Sequence, residues 1–151
     1  MAADDVILAV GATVSLVAST PATYDSTGFA ALTFVEVGEV LDIGAFGGNA
    51  EVVEFTPVKS GTVNKRKGSI NYGTMSLNIG HDVDDAGQVL LKAGFDGAAR
   101  NTVHSFKLVY NDGEIAYFTG VISSFEKSTG DANTVVAVNV NIELTGEVVT
   151  A

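Results

Sequence analysis

Between Thr134 and Leu144 the chain alternates almost without error: Val136, Val138, Val140, Ile142 and Leu144 point one way, and Asn139, Asn141 and Glu143 the other. A period of two is the signature of a strand with one buried face. A helix, repeating every 3.6 residues, would scatter those apolar side chains around its surface. Such a strand needs paired neighbours and an apolar layer over it, and the preceding residues supply both. Glu114 to Phe125 and Val103 to Tyr110 read as strands, joined by Asn111-Asp112-Gly113, whose residues accept the positive φ of a tight hairpin. Ser128-Thr129-Gly130-Asp131 has the same turn chemistry. Residues 102–144 are therefore expected to form a three-stranded antiparallel meander, covered by a helix and the earlier strands.

At 151 residues the chain fits one domain, 1–151, burying roughly two-thirds of the surface exposed when unfolded. It has no cysteine, which removes disulfides, thiolate nucleophiles and zinc–thiolate sites. The apolar run Val6 to Ala18 is flanked by Asp4-Asp5 instead of a basic segment and is too short to span a bilayer, so it reads as a strand. A net charge of −10 repels free nucleic acid. Charged residues make up only 17% of the chain, against about 25% in an ordinary soluble domain. The outward strand faces carry Ser, Thr, Asn and Gly instead, and neutral faces of this kind suit subunit contacts.

From the start, residues 6–19 are expected to form an opening strand, broken near Gly11 and stopped by Pro21. A turn with one helical turn follows, then an alternating run, Thr33 to Ile43, whose phase slips at Gly38 as a bulge would produce. Gly73 to Gly80 returns to alternation, with Met75, Leu77 and Ile79 inward and Thr74, Ser76 and Asn78 outward. The acids of Asp82-Val83-Asp84-Asp85-Ala86-Gly87 resemble the start of a calcium loop, but Ala86 and Ala93 stand where the fifth and twelfth ligands belong. No metal site is expected. Helix capping accounts for the stretch better: Asp85 as N-cap, Gln88 three residues on as in a capping box, and Ala86, Val89, Leu90 and Ala93 at helical spacing. Gly94 then closes a short helix over about 85–93.

Residues 44–73 are the least regular part, a length of inserted loop that in compact domains is usually functional. Glu51 to Phe55 and Gly61 to Lys67 are expected to pair as a hairpin around Pro57. Half of the eight basic residues, Lys59, Lys65, Arg66 and Lys67, lie here. Without interleaved aromatics these do not make a stacking platform for single strands; a solvated flexible loop and docking onto an acidic neighbour are the two readings left open.

The run Pro21-Ala22-Thr23-Tyr24-Asp25-Ser26-Thr27-Gly28-Phe29-Ala30-Ala31-Leu32, leading into Phe34-Val35-Glu36-Val37-Gly38-Glu39-Val40, resembles the major tail tube proteins of long, non-contractile-tailed (siphovirus-type) bacteriophages. The resemblance continues at Asp84-Asp85-Ala86-Gly87-Gln88 and through the terminal strands. It implies an antiparallel β-sandwich or partly closed barrel with one packed helix, assembled as hexameric rings that stack into a conduit for DNA ejection. It also implies a virion location after synthesis in the bacterial cytoplasm, and tape measure, tail terminator and tail-tip proteins as partners. Duplex DNA would pass without specific binding.

On that reading Phe46, Glu51, Glu54, Lys59, Lys65, Arg66, Lys67 and Tyr72 are expected to contact the next ring, and residues 46–71 to be mobile until they do. Asn139, Asn141 and Glu143 are the lumen-facing candidates. No catalytic residue, metal or cofactor is expected. His104 shares a face with Phe106, Leu108 and Tyr110 and reads as a core histidine, while His81 sits beside Asp82 and could pair with it. Neither Gly-x-Ser-x-Gly nor a phosphate-binding Gly-Lys-Ser/Thr occurs. Two other classes share the architecture. A carbohydrate- or ligand-binding β-sandwich would expose Trp or Tyr for stacking, whereas this chain has no Trp and four Tyr, of which Tyr24 and Tyr72 read as exposed. A secretion-system tube subunit would follow the same tube logic.

Overall fold

The computed structural model describes residues 7–98 and 100–151. Val6, where the opening strand is expected to begin, lies outside them. The meander forms as expected: β7 (His104–Val109), β8 (Ile115–Ser128) and β9 (Ala137–Leu144) are neighbours in one antiparallel sheet. Gly113, in the first turn, has φ of +95°, and Gly130, in the second, +71°. On β9, Val138, Val140 and Ile142 have no exposed surface while Asn139 and Glu143 are exposed.

The earlier strands extend this sheet on both sides. β6 (Thr74–Gly80) pairs with β9, and β3 (Val40–Ile43) pairs with β6. On the other flank β1 (Thr13–Val17) pairs with β7, and β2 (Val35–Val37) with β1. The terminal β10 (Val149–Thr150) adds to β8 opposite Ala116 and Tyr117. β8 is the corner of the sandwich. Its first half pairs with β7, its second half with β9, and Gly120 pairs in both directions. A Cβ there would come within 2.7 Å of the Glu143 carbonyl oxygen, so the close crossing requires glycine.

Residues 33–43 do not form one bulged strand. They split into β2 and β3, which sit at opposite ends of the sheet path β2-β1-β7-β8-β9-β6-β3. Only Gly38 and Glu39 join them. Three Cα steps span at most about 11 Å, so the two outer strands are drawn together and the sheet must curl into a sandwich. Among the described residues β2 and β3 do not pair with each other, and the sheet is not closed into a barrel. Glu39 takes φ of +59°, uncommon outside glycine. Its carbonyl accepts from Gly80 N–H at 2.7 Å, which holds the switch in place.

Two helices pack on the sheet, the helical turn expected after Pro21 and the longer helix that follows β6. α1 (Ser26–Ala30) is a single turn capped by Asp25, whose carboxylate accepts from Gly28 N–H at 2.7 Å. It buries Phe29 in a stack on Tyr117 at 5.2 Å. α2 (Ala86–Asp96) is capped by Asp85, which accepts from Gln88 N–H at 3.0 Å. Gly94 is not the cap, since the helix runs on to Gly97. Gly94 instead faces the core, where a Cβ would stand 2.9 Å from the His104 ring. The core joins Leu91 of α2 to Val14, Leu16, Met75, Leu77 and Ile79, around Phe106 and Phe118 stacked at 5.3 Å.

Candidate functional site

The outward face of β9 is continued by β6 in register: Thr74 lies opposite Glu143, Ser76 opposite Asn141 and Asn78 opposite Asn139. Cross-strand partners share a face, so the six side chains form three polar rungs. Thr74 Oγ1 donates to Glu143 Oε2 at 2.6 Å, and Ser76 Oγ donates to Asn141 Oδ1 at 2.8 Å. Glu126 of β8 lies opposite Asn139 and Asp42 of β3 opposite Asn78. No lysine or arginine pairs into these rungs. The surface is hydroxyl and amide with a carboxylate fringe, and the opposite sides of the same strands are buried in the core.

The inserted segment is a two-stranded sheet of its own, β4 (Asn49–Phe55) and β5 (Asn64–Asn71). Val52 pairs with Lys67, Val53 with Arg66, Glu54 with Lys65 and Phe55 with Asn64. The strands are longer than the expected 51–55 and 61–67, and Pro57 lies in the turn that joins them. Lys65 Nζ stands 3.8 Å from Glu54 Oε1. Glu51, Glu54, Lys59, Lys65, Arg66 and Lys67 are exposed along the hairpin, whereas Phe46 and Tyr72 are half-buried at its foot against the main core. Phe46 lies 5.4 Å from Phe118. The eight residues grouped from sequence thus divide into an anchor and a projecting arm.

Gln88 plays a part that the capping-box pattern does not reveal. Its amide does not return to the N-cap backbone. Nε2 donates to the carbonyls of Gly38 at 3.2 Å and Gly80 at 2.8 Å, and Oε1 accepts from Asp82 N–H at 3.0 Å. Asp85 also accepts from Gly38 N–H at 3.0 Å. The start of α2 therefore clamps the link between the two outermost strands. The only legible signal is an Asp-x-x-Gln pair beside a glycine switch, and the spacing does not say where the amide goes.

His104 is fully buried. Its Nδ1 lies 2.9 Å from the Thr102 carbonyl, an acceptor only, so Nδ1 carries the proton and Nε2 presents a lone pair that finds no partner. Burial pushes its pKa below 6.5, against the smaller upward pull of the Thr102 hydrogen bond. His81 is exposed, and no ion pair joins it to Asp82 among the described residues. Tyr24 is partly exposed but donates to the Glu147 carbonyl at 2.7 Å and packs edge-on against Phe29, and Tyr72 is half-buried. Neither forms an open stacking platform. Among the described residues no three His, Asp or Glu side chains gather as a metal site would require, and no helix is long and apolar enough to cross a membrane.

Residues 6–151 match the family described as phage tail tube protein, TTP. No curated protein matches the chain by sequence. Among solved structures the fold is similar to the sheath/tube terminator of the extracellular contractile injection system PVC, with a TM-score of 0.71 at 11% identity over 99% of both chains. It is similar to the tail of a gene transfer agent particle solved with C6 symmetry, with a TM-score of 0.62 at 17% identity over 100% of this chain and 98% of that one. The SPP1 tail tube gives 0.63 at 15% identity, over 96% of this chain and 78% of that one. With the family matched over nearly its whole length, and with a sandwich of this topology carrying a polar face and a separate hairpin, the chain belongs to the phage tail tube protein family and is a structural subunit of a virion tail.

Proposed function

We propose that this protein assembles as rings of six that stack into a hollow tube, through which duplex DNA is delivered into the host. The match of residues 6–151 to the tail tube family carries this reading. The number six is supported by the C6 symmetry of the similar gene transfer agent tail. Among the described residues β2 and β3 each pair on one side only, so a neighbour's strand added at these edges would satisfy backbone groups otherwise left to water. The subunit acts by geometry and performs no catalysis. It is made in the host cytoplasm, enters a siphovirus-type tail, and meets the tape measure, terminator and tip proteins at the tube's interior and ends.

The polar rungs around Asn139, Asn141 and Glu143 line the lumen in this proposal. Duplex DNA carries a charge about every 1.7 Å, so a basic wall would hold it in a salt-dependent way. A hydroxyl and amide wall with carboxylates lets it slide. The hairpin reaches the next ring. The likeness to contractile injection system components supports a second reading, a tube that injects other cargo. Electron microscopy of the purified protein over a range of concentrations and nucleating conditions tests the assembly: six-fold rings or tubes are expected, and compact monomers throughout would overturn it. Nuclease-protected DNA in intact particles separates the two cargoes.

A further inference from the structure

We infer that the C-terminal half of α2 is a latch that acid opens: a proton taken up by His104 at Nε2, where the ring meets Gly94, lifts residues 90–96 off the sheet while the N-terminal half stays clamped. The two halves of the helix are held by different forces. Asp85 and Gln88 bind the backbone of Gly38, Gly80 and Asp82 through hydrogen bonds of 2.8 to 3.2 Å. Gly87 sits so close to β2 that a Cβ there would overlap the Glu36 carbonyl. Beyond Gln88, no side chain of the helix hydrogen-bonds to the sheet among the described residues. That half rests on packing alone, through its two buried positions, Leu91 and Gly94. A Cβ on Gly94 would stand 2.6 Å from Ile122 Cδ1, and 2.9 Å from Cε1 and 3.0 Å from Nε2 of His104, so the helix backbone is seated directly on the ring.

The seat suits only the neutral ring. With the Nδ1 proton on the Thr102 carbonyl and no partner at Nε2, a second proton would create a charged donor that has no acceptor in the core. No countercharge faces it from the surrounding elements. Lys92 and Asp96 of α2 and Lys127 of β8 are exposed around one cleft, and Glu126 of β8 lies opposite Asn139 on the outward face. Lys107 of β7 reaches over Phe34 from the other side of its strand; Arg100, in the turn before β7, and Glu36 of β2 are exposed, and β1 carries no charge. Burial already holds the proton affinity of this ring below that of a free imidazole. Water is the acceptor that remains, and the half of α2 held only by packing has to move to admit it. In the opened state the ring titrates as it does in the unfolded chain. The opening equilibrium therefore rises by up to about ten-fold per pH unit from 6.5 down to the lower value of the closed ring.

The chain has two histidines, and the exposed His81 supplies a reference signal in the same spectrum. Both imidazoles are titrated by NMR in the wild-type subunit from pH 7.5 to 5.0, and amide exchange is followed over the same range at several low urea concentrations. Amides 91–96 should lose about ten-fold or more in protection factor at the pH where His104 titrates, with little response to urea, because a local opening exposes little surface. Amides of β9 should stay at least about ten-fold better protected and respond fully to urea. His104→Gln keeps a donor for the Thr102 carbonyl and cannot become charged, so its amides 91–96 should hold the same protection at every pH. Three results would each overturn the latch: amides 91–96 that share the protection and urea dependence of β9 throughout, a loss of protection that persists in His104→Gln, or a wild-type His104 that titrates while 91–96 stay protected. The first and third need no variant, and none of the readouts depends on tube assembly.

Discussion

The side-chain amide of Gln88 donates to the carbonyl of Gly80 at 2.8 Å, tying the first turn of α2 to the end of β6. The same nitrogen reaches Gly38, in the two-residue link between β2 and β3, so one buried side chain spans the place where the two ends of the curled sheet meet.

Replacing Gln88 with Leu keeps the bulk but strands the carbonyls of Gly38 and Gly80 and the N–H of Asp82. A loss of about 2 kcal/mol is expected, since each buried group left without a partner costs roughly 1–3 kcal/mol and those near the surface recover water. Urea unfolding measures it. A midpoint unchanged from wild type would show that the clamp contributes nothing to stability.

His104 predicts a pH dependence. Its pKa is lowered in the folded state, so between that value and 6.5 the unfolded chain binds more protons. Its contribution is fully present above pH 6.5 and is lost as the pH falls through the folded value, with a slope of at most about 1.4 kcal/mol per pH unit. Unfolding midpoints at pH 7.5, 6.0 and 5.0 should fall for wild type and stay level for His104→Leu. Parallel curves would mean that Nε2 has found a partner.

Removal of the hairpin should separate folding from assembly. An ideal Cβ on Gly48 would lie 2.7 Å from Tyr72 Cα, so the backbones almost touch and can be joined after deletion of residues 49–71. Phe46 and Tyr72 stay on the core. The shortened protein should unfold cooperatively, with a midpoint near that of wild type, but form no tubes in micrographs. Tubes of normal length would rule out the hairpin as the connector between rings.

Reversing the charge of the polar rungs tests the lumen. Asn139→Lys, Asn141→Lys and Glu143→Lys together leave the apolar side of β9 untouched, so tubes should still assemble. Delivery of DNA from particles carrying them should slow, and slow most at low salt, where a basic wall holds phosphates tightly. Normal delivery at low and physiological salt would place these residues away from the DNA path.

Local alternation decided much of this protein before any folding. The side chains of β9 and β6 declare which face is buried because a strand repeats every two residues, and the glycines of the turns declare where the chain reverses because they accept positive φ. The meander, the capped α2 and the existence of a hairpin between 44 and 73 were legible for that reason, and so was the outward set Asn139, Asn141 and Glu143. Tertiary structure decided the rest. Periodicity records the face of a strand but not its neighbour, so the slip at Gly38 looked like a bulge when it is a passage between opposite ends of a sheet. The spacing of Asp85 and Gln88 matched a capping box, yet the amide turned to two carbonyls that stand near it only because the sheet curls. In Lys65-Arg66-Lys67 the three charges are adjacent in sequence and opposed in space, since pairing with Glu54, Val53 and Val52 fixes which side of the ribbon each one takes. Register is set by long-range pairing, and pairing between distant strands leaves no trace in either strand alone.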